Sequence, residues 1–202
     1  MSSIFLKFAI VFTLFVQGCS VPSEHPCGDL APVFHQGLTL CVTPDYYQRN
    51  DVRRPVGLSE AFRIADESRM LLPTPSIVDS IYEQADIRLR PIPMQPGRQM
   101  ASEQYINRHD SMIDQQLEQY EYDSTTLIAG HKKDIVVISR ESSRVAIYGW
   151  HRDVGRPIQP LSTVHGRKYY DYSHGLRLIS TFAYDTTGNI VVLTQQDLID
   201  LR

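Results

Sequence analysis

Four of the chain's seven histidines fall between residues 131 and 174, and each has a glycine within two positions. They are His131, His151, His165 and His174. Imidazole titrates near neutral pH and serves as a general acid, a general base or a metal ligand. Glycine lets the backbone turn sharply or approach a ligand closely. The pattern predicts an active site on loops held by a rigid scaffold. The alternative is a set of hydrogen-bonded histidines on a tyrosine-rich sheet.

Metal-assisted hydrolysis is the first chemistry that these residues suggest. A zinc hydrolase uses three protein ligands and leaves one position open for water. The stretch His165-x5-Asp171-x2-His174 resembles the His/Asp/His sets of peptidoglycan-cutting metallopeptidases, although its spacing differs and no matching glutamate base is present. The resemblance implies a zinc site at His165, Asp171 and His174, with His131 and His151 as further candidate ligands.

Nucleophilic catalysis is the second possibility. Ser173-His174-Gly175 followed by Arg177 resembles the Ser-His-Gly-Cys-x-Arg motif of L,D-transpeptidases, which crosslink peptidoglycan through a cysteine thiolate. Leu176 stands where that family has its cysteine, and the arginine comes one residue early, so the thiolate mechanism cannot run here. A serine, histidine and aspartate set remains open, with Ser162 or Ser173 as nucleophile, but the chain has no Gly-x-Ser-x-Gly turn around either serine.

General acid–base catalysis without a metal is the third possibility. Asp171 would orient His174, and Arg177 or Lys133 would hold an anionic group. The candidate catalytic residues from these three possibilities together are His131, His151, Asp171, His174 and Arg177.

Three helices are predicted ahead of the histidine-rich region. Ser59 caps a helix through about Leu72, Thr74-Pro75 begins a second, and Ser102 caps a third, each followed by apolar residues at helical spacing.

From Leu127 onward, short β-branched and aromatic runs predict strands instead. The runs are 135–138, 145–148, 168–173, 176–184 and 190–193, with residues 185–189 as a hairpin turn and Thr194 as the cap of a closing helix. Helices first and strands second predict an α+β fold, with N-terminal helices packed on a C-terminal antiparallel sheet.

The N-terminus predicts export from a bacterial cytoplasm. Lys7 precedes an apolar run over residues 8–16, which is the pattern of a signal peptide and is shorter than the roughly 20 residues of a membrane-spanning helix. The run ends at Gly18-Cys19 and resembles a bacterial lipobox, which implies lipidation of Cys19 and an outer-membrane lipoprotein facing the periplasm. Ordinary signal-peptidase cleavage nearby is the alternative.

The remaining two of the three cysteines, Cys27 and Cys41, are then predicted to form a disulfide in the oxidising periplasm. We expect three parts: a signal peptide over 1–18, a tether and irregular disulfide-bearing segment over 19–57, in which several prolines break long elements, and one α+β domain over 58–202.

The formal charge of −3, with acidic and basic residues mixed along the chain, excludes a basic stripe and argues against nucleic acid as a partner. The runs Gly149-Trp150-His151, Pro157–Leu161 and Asp171–Gly175 resemble a family of exported bacterial proteins without an assigned activity.

Location and the two partial motifs suggest hydrolysis of an envelope polymer such as peptidoglycan. The alternative is a non-catalytic lipoprotein that binds a glycan or a protein through Trp150 and the tyrosines of 169–172.

Overall fold

The computed structural model describes residues 26–139 and 141–201, so the predicted signal peptide and Cys19 lie outside the described residues. Within these ranges the helices are α1 (Leu58–Ser68), α2 (Pro75–Gln84), α3 (Glu103–Leu117) and α4 (Gln195–Asp200), with a 3-10 turn over Arg98–Ala101. None of the described helices is both long enough and apolar enough to cross a bilayer. The strands are β1 (Ala31–His35), β2 (Leu38–Val42), β3 (Gln48–Arg49), β4 (Val52–Arg53), β5 (Met70–Leu71), β6 (Ile87–Arg88), β7 (Ile128–Ala129), β8 (Lys133–Val136), β9 (Ala146–Asp153), β10 (Arg156–Ser162), β11 (His174–Gly175), β12 (Ile179–Asp185) and β13 (Ile190–Val192).

The first sheet joins the two ends of the chain. Its strand order is β1-β2-β12-β13, with β5 also paired to β12, and every pairing is antiparallel. Alternate residues of a strand point to opposite faces, and one face of this sheet carries Val33, Leu40 and Ala183, which are all fully buried. Residues of α2 and α4 pack in the same apolar cluster. This sheet therefore holds the disulfide-bearing N-terminal segment against the C-terminal hairpin.

The second sheet carries the histidine-rich region. Its strand order is β10-β9-β8-β11, and β11 runs parallel to β8, with His174 opposite Lys133 and Gly175 opposite Asp134. A second apolar cluster, to which α1 contributes, packs around Ile135 and Leu176. Two-stranded pairings β3-β4 and β6-β7 complete the described sheets. Residues 168–173, predicted as a strand, are irregular and lead into β11.

The predicted arrangement of helices packed on a C-terminal sheet is wrong. Strands β1–β4 precede α1, further strands separate the helices, and α4 follows the last strand, so the fold is mixed α and β with scattered helices. The error lies in the segment 19–57, where prolines suggested irregular chain. Proline removes a hydrogen-bond donor but is tolerated on an edge strand. Pro32 lies on β1, which is the edge of the first sheet.

The sulfur atoms of Cys27 and Cys41 lie 1.94 Å apart, at disulfide distance. Cys41 belongs to β2, and Cys27 precedes β1, so the pair ties the start of the described chain to the first sheet. The described part of the segment that was expected to be irregular is therefore fixed by both a strand pairing and a covalent bridge.

Candidate functional site

His174 is fully buried at the start of β11, beside Asp171. Its Nε2 lies 4.0 Å from Asp171 Oδ2, and no described residue forms a hydrogen bond with either ring nitrogen. Asp171 instead accepts hydrogen bonds from the backbone N–H and the hydroxyl of Ser173 and from the hydroxyl of Tyr169. Burial lowers the pKa of His174, and the Asp171 carboxylate offsets only part of that effect. The ring is therefore neutral at neutral pH, next to a carboxylate that other donors already satisfy.

His165 joins the same group through Tyr169. The two rings stack with centroids 3.8 Å apart, and the ring of Tyr169 meets that of His174 edge-on at 5.8 Å. The structure thus brings together His165, Asp171 and His174, the three residues proposed as zinc ligands. Within the part of the chain that the structure describes, however, no three His, Cys, Asp or Glu side chains converge closely enough to hold a metal ion. The zinc expectation gains no support from this arrangement.

Arg177 crosslinks separate segments of the chain. Its guanidinium donates hydrogen bonds to the backbone carbonyls of Thr43, Pro44 and Ile128. The guanidinium also lies over the ring of Tyr46, and its Cζ atom is 4.4 Å from the ring centroid. Arginine has five N–H donors in a rigid fork, which suits this bridging of carbonyls. The contacts of Arg177 are those of a structural residue.

Asp134 lies at the centre of the buried polar residues. The Tyr46 hydroxyl donates a 2.8 Å hydrogen bond to Asp134 Oδ2, and Arg177 Nε lies 3.9 Å from Oδ1. Burial raises the pKa of Asp134 to about 6, against the opposing effect of the nearby Arg177 charge. A carboxylate with one hydrogen bond and one distant cation is incompletely compensated, which costs stability when it ionises.

His131 belongs to a different group, built on Asp45. Its Nε2 lies 3.0 Å from Asp45 Oδ1, and Arg53 Nε donates a 2.8 Å hydrogen bond to Asp45 Oδ2. Arg53 also donates to Asp110 and Asp114 on α3. Burial alone would raise the pKa of Asp45, but the neighbouring His131, Arg53 and Arg177 hold it below its ordinary value. Asp45 is therefore an anion that links the buried residues to the surface.

His151 forms a third group, with α2. Its Nε2 lies 2.8 Å from Asp79 Oδ1, and the hydroxyl of Tyr148 donates to the same carboxylate. The His151 ring stacks on Tyr82 with centroids 4.5 Å apart. The four histidines of the predicted site thus divide into three groups, and only His165 and His174 share one. Each of the other two histidines pairs with an aspartate, Asp45 or Asp79, that the sequence analysis did not single out.

Lys132 and His109 form a buried pair that sequence reasoning also missed. Lys132 Nζ donates a 2.8 Å hydrogen bond to the carbonyl of Tyr172 and lies 3.2 Å from His109 Nδ1. Both side chains are fully buried. Burial lowers the pKa of Lys132 to about 7 and that of His109 to about 2. The signal available in the sequence was His109 on the apolar face of the predicted third helix, where its polar ring needs a buried partner.

Gly175 explains how β11 fits among these residues. A Cβ atom at this position would lie 2.5 Å from Tyr46 Cδ1 and 2.7 Å from Lys132 Cβ. Only glycine leaves room for that approach without displacing a neighbour. The glycine after His174 therefore serves close packing of the chain against Tyr46, and not the approach of a ligand.

An open cleft of about 530 Å³ lies beside the Asp45 group. Its rim carries the aromatic side chains of Tyr47, which is half-buried, and Tyr122, which is 51% exposed. The polar side chains that line it include Asp45, Gln48, Asp51, Arg53, Asp114, Asp123, Ser124 and Thr126. A second groove of about 1000 Å³ shares Asp123 and Thr126 with the cleft, so the two surfaces adjoin. Aromatic and hydrogen-bonding groups therefore face solvent together in this cleft.

Two of the aromatic residues that the sequence suggested as a contact surface, Trp150 and Tyr172, are buried. Trp150 and Tyr172 are 6% and 3% exposed and pack with Ile106 in an apolar cluster. The Trp150 indole N–H donates a 3.1 Å hydrogen bond to the carbonyl of His131, and the Tyr172 hydroxyl accepts one from the Met94 N–H. These two side chains are core residues and not a contact surface.

Comparison with protein-family models, with curated proteins and with solved structures finds no match to this chain.

Proposed function

We propose that this protein is a lipid-anchored protein of the bacterial envelope whose cleft binds a saccharide strand such as the glycan of peptidoglycan. The observation that carries the proposal is the cleft itself, where two tyrosine rings and a row of carboxylate, amide and hydroxyl groups face solvent together. Export and lipidation at Cys19 belong to the same proposal and rest on the sequence pattern.

The side chains of the cleft match the two surfaces of a sugar ring. A pyranose has apolar C–H faces, which pack on aromatic rings, and an equator of hydroxyl groups, which need hydrogen-bond partners. Tyr47 and Tyr122 each supply an apolar ring that ends in a hydroxyl group, so one side chain can both pack on a sugar and form a hydrogen bond at the solvent boundary. The Asp51 carboxylate and the Oδ2 atom of Asp123 can accept hydrogen bonds from sugar hydroxyl groups, and the Gln48 amide both donates and accepts. The Oδ1 atom of Asp123 already accepts from Thr125 and Thr126. The adjoining groove gives room for further units of a strand.

The charge of the cleft restricts the kind of saccharide. Its lining includes Asp45, Asp51, Asp114 and Asp123, whereas Arg53 is its only described cationic side chain. That arginine forms ion pairs with Asp45 and Asp114, and these carboxylates compensate its positive charge. Like charges repel across such a site. We therefore expect the cleft to prefer neutral, N-acetylated or amine-bearing sugars over uronic-acid polymers.

The burial of the histidine group argues against hydrolysis of a polymer at that position. The side chains of His174 and Arg177 are 0% exposed, and that of Asp171 is 5% exposed. General acid–base catalysis requires the catalytic group to reach the substrate within hydrogen-bond distance. A polysaccharide strand cannot reach His174 in this conformation, whereas it can enter the cleft. Binding is therefore the function that the geometry supports better.

Co-sedimentation with insoluble peptidoglycan tests the proposal. The wild-type protein is expected to sediment with the polymer in a saturable way. Tyr122→Ala should weaken binding roughly 5- to 10-fold, since removing one aromatic contact costs about 1–1.4 kcal/mol. The matched control is Tyr170→Ala, because Tyr170 is 38% exposed but does not line the cleft.

Equal binding by wild type and Tyr122→Ala would show that the cleft is not the binding site. Analysis of the supernatant adds a second outcome. Release of soluble fragments that stops with His174→Ala would favour hydrolysis at the histidine group over binding alone.

A further inference from the structure

The first sheet exposes a band of large apolar side chains on its outer face. Phe34 on β1 is 56% exposed, Phe182 on β12 is 53% exposed, and Ile190 and Val192 on β13 are 63% and 66% exposed. We call these four residues the apolar face. Isolated apolar residues on a surface are ordinary, but a contiguous apolar surface usually marks an interaction site.

The pairing of the strands places these four side chains on one side of the sheet. Ala183 pairs with Leu40, and both side chains are buried in the core. Because side chains alternate along a strand, Phe182 points away from the core. Its partner Val192 points to the same side, and so does Ile190, which lies two residues before Val192 on β13.

Phe34 reaches the same side by the same alternation, since its neighbour Val33 is buried. The four side chains thus lie on β1, β12 and β13, and β2 places Thr39 and Cys41 on the same side of the sheet, between Phe34 and the other three.

The described chain enters over this same side of the sheet. Cys41 lies next to the buried Leu40, so its side chain is on the outer side, and its sulfur lies at disulfide distance from that of Cys27. The hydroxyl of Tyr184, two residues after Phe182, donates a 2.6 Å hydrogen bond to the carbonyl of Pro26. Two independent contacts thus fix Pro26 and Cys27 beside the apolar face.

We propose that the apolar face docks onto the surface of the lipid bilayer to which Cys19 is anchored. The short length of chain between Cys19 and Pro26 supports this orientation. Cys19 precedes Pro26 by seven residues, and an extended chain spans at most about 3.5 Å per residue, so the lipidated residue lies within about 25 Å of Pro26. A tether that short holds the outer side of the first sheet near the membrane, where its apolar side chains can insert among the headgroups. The inference rests on the proposed lipidation of Cys19 and is independent of the saccharide cleft.

Quenching by brominated phospholipids tests the docking. The full-length lipoprotein is reconstituted into vesicles of phosphatidylethanolamine and phosphatidylglycerol brominated on the upper acyl carbons. Phe182→Trp places a fluorophore on the apolar face, and Leu161→Trp is the control on β10 of the second sheet, at a site that is 45% exposed. The native Trp150 is 6% exposed and contributes the same signal to both variants.

The Phe182→Trp variant is expected to lose roughly half of its added emission, because an interfacial element inserts about 5–10 Å into the boundary of headgroups and acyl chains. The Leu161→Trp variant should keep its added emission. If bromination reduces the added emission of the two variants by the same fraction, the docking is overturned and the saccharide proposal still stands. Mass spectrometry that finds no lipid on Cys19 would also overturn it, as would a dimer of the reconstituted protein that shields the Phe182→Trp fluorophore from lipid.

Discussion

Replacing the buried Lys132 with methionine should change how the stability of the protein depends on pH. The ammonium group loses its hydration on folding, and burial lowers the pKa of Lys132 from 10.5 to about 7 in the folded protein. Between these two values the unfolded chain holds the proton and the folded chain does not. The unfolded state therefore binds more protons, and the free energy of unfolding rises with pH.

The magnitude follows from the same linkage. Above the folded pKa of about 7, each pH unit adds up to about 1.4 kcal/mol to the stability of the wild type. Between pH 7 and pH 9 the wild type should gain about 2 kcal/mol relative to Lys132→Met, which has no proton to release. Below pH 7 the two pH profiles should run parallel, because the lysine is then charged in both states.

Urea unfolding at a series of pH values measures this difference. The packing change that methionine itself introduces shifts the free energy of unfolding by the same amount at every pH, so it does not alter the slope of that free energy against pH. Lys168→Met, at an exposed lysine, is the control and should follow the wild-type pH profile. Parallel profiles of wild type and Lys132→Met from pH 7 to pH 9 would refute the buried, deprotonated lysine and with it the described contact of Lys132 with His109 on α3.

Three further outcomes are expected. Gly175→Ala should lower the free energy of unfolding by about 1–3 kcal/mol through overpacking, whereas Gly166→Ala, where nothing lies within 4 Å of the new Cβ, should be close to neutral in the same denaturation assay. Thiol labelling of the denatured, unreduced protein should find neither Cys27 nor Cys41 free, and quantitative labelling of both would contradict their pairing. Cys19→Ala should move the protein from the membrane fraction to the soluble fraction, and an unchanged distribution would show that something else anchors it.

Local signals in the sequence predicted several elements well. Thr74-Pro75 marked the start of α2, although the Thr74 side chain makes no capping hydrogen bond. Ser102 caps α3 by accepting from the Tyr105 N–H, and Thr194 forms a capping box with Asp197 at α4. Residues 185–189 form the turn between β12 and β13. Each of these features depends on residues close together in the sequence, which is why the sequence contains enough information.

The non-local pairings could not be predicted in the same way. Besides its neighbour β1, β2 pairs with β12, well over a hundred residues later in the chain, and nothing in either strand specifies the other. Strands of two residues, such as β11, are too short to show a periodicity. The first helix ends at Ser68 rather than near Leu72, because Arg69 adopts a left-handed conformation and the next residues pair with β12.

The grouping of the candidate site residues in space could not be predicted for a related reason. Spacing along the chain grouped four histidines, but His131 and His151 pair with aspartates from distant parts of the sequence. Asp45, just after β2, pairs with His131, and Asp79 on α2 pairs with His151. Only Asp171 and His174 are close enough in sequence for a turn to bring them together. The cleft is similarly non-local, since Tyr47 and Tyr122 meet there from distant segments.

The most direct test of the account is to map where a saccharide binds in solution. In two-dimensional amide NMR spectra of the protein, titration with a soluble chito-oligosaccharide or a purified glycan fragment should shift the signals of Tyr47, Gln48, Asp123 and Thr126 along saturable curves. The amides of Tyr169 and His174 should stay in place, and an oligomer of a uronic acid should cause no shift. Shifts confined to the residues around His165 and His174, or saturable binding of the uronic-acid oligomer alone, would contradict the proposal that this cleft is a saccharide-binding site.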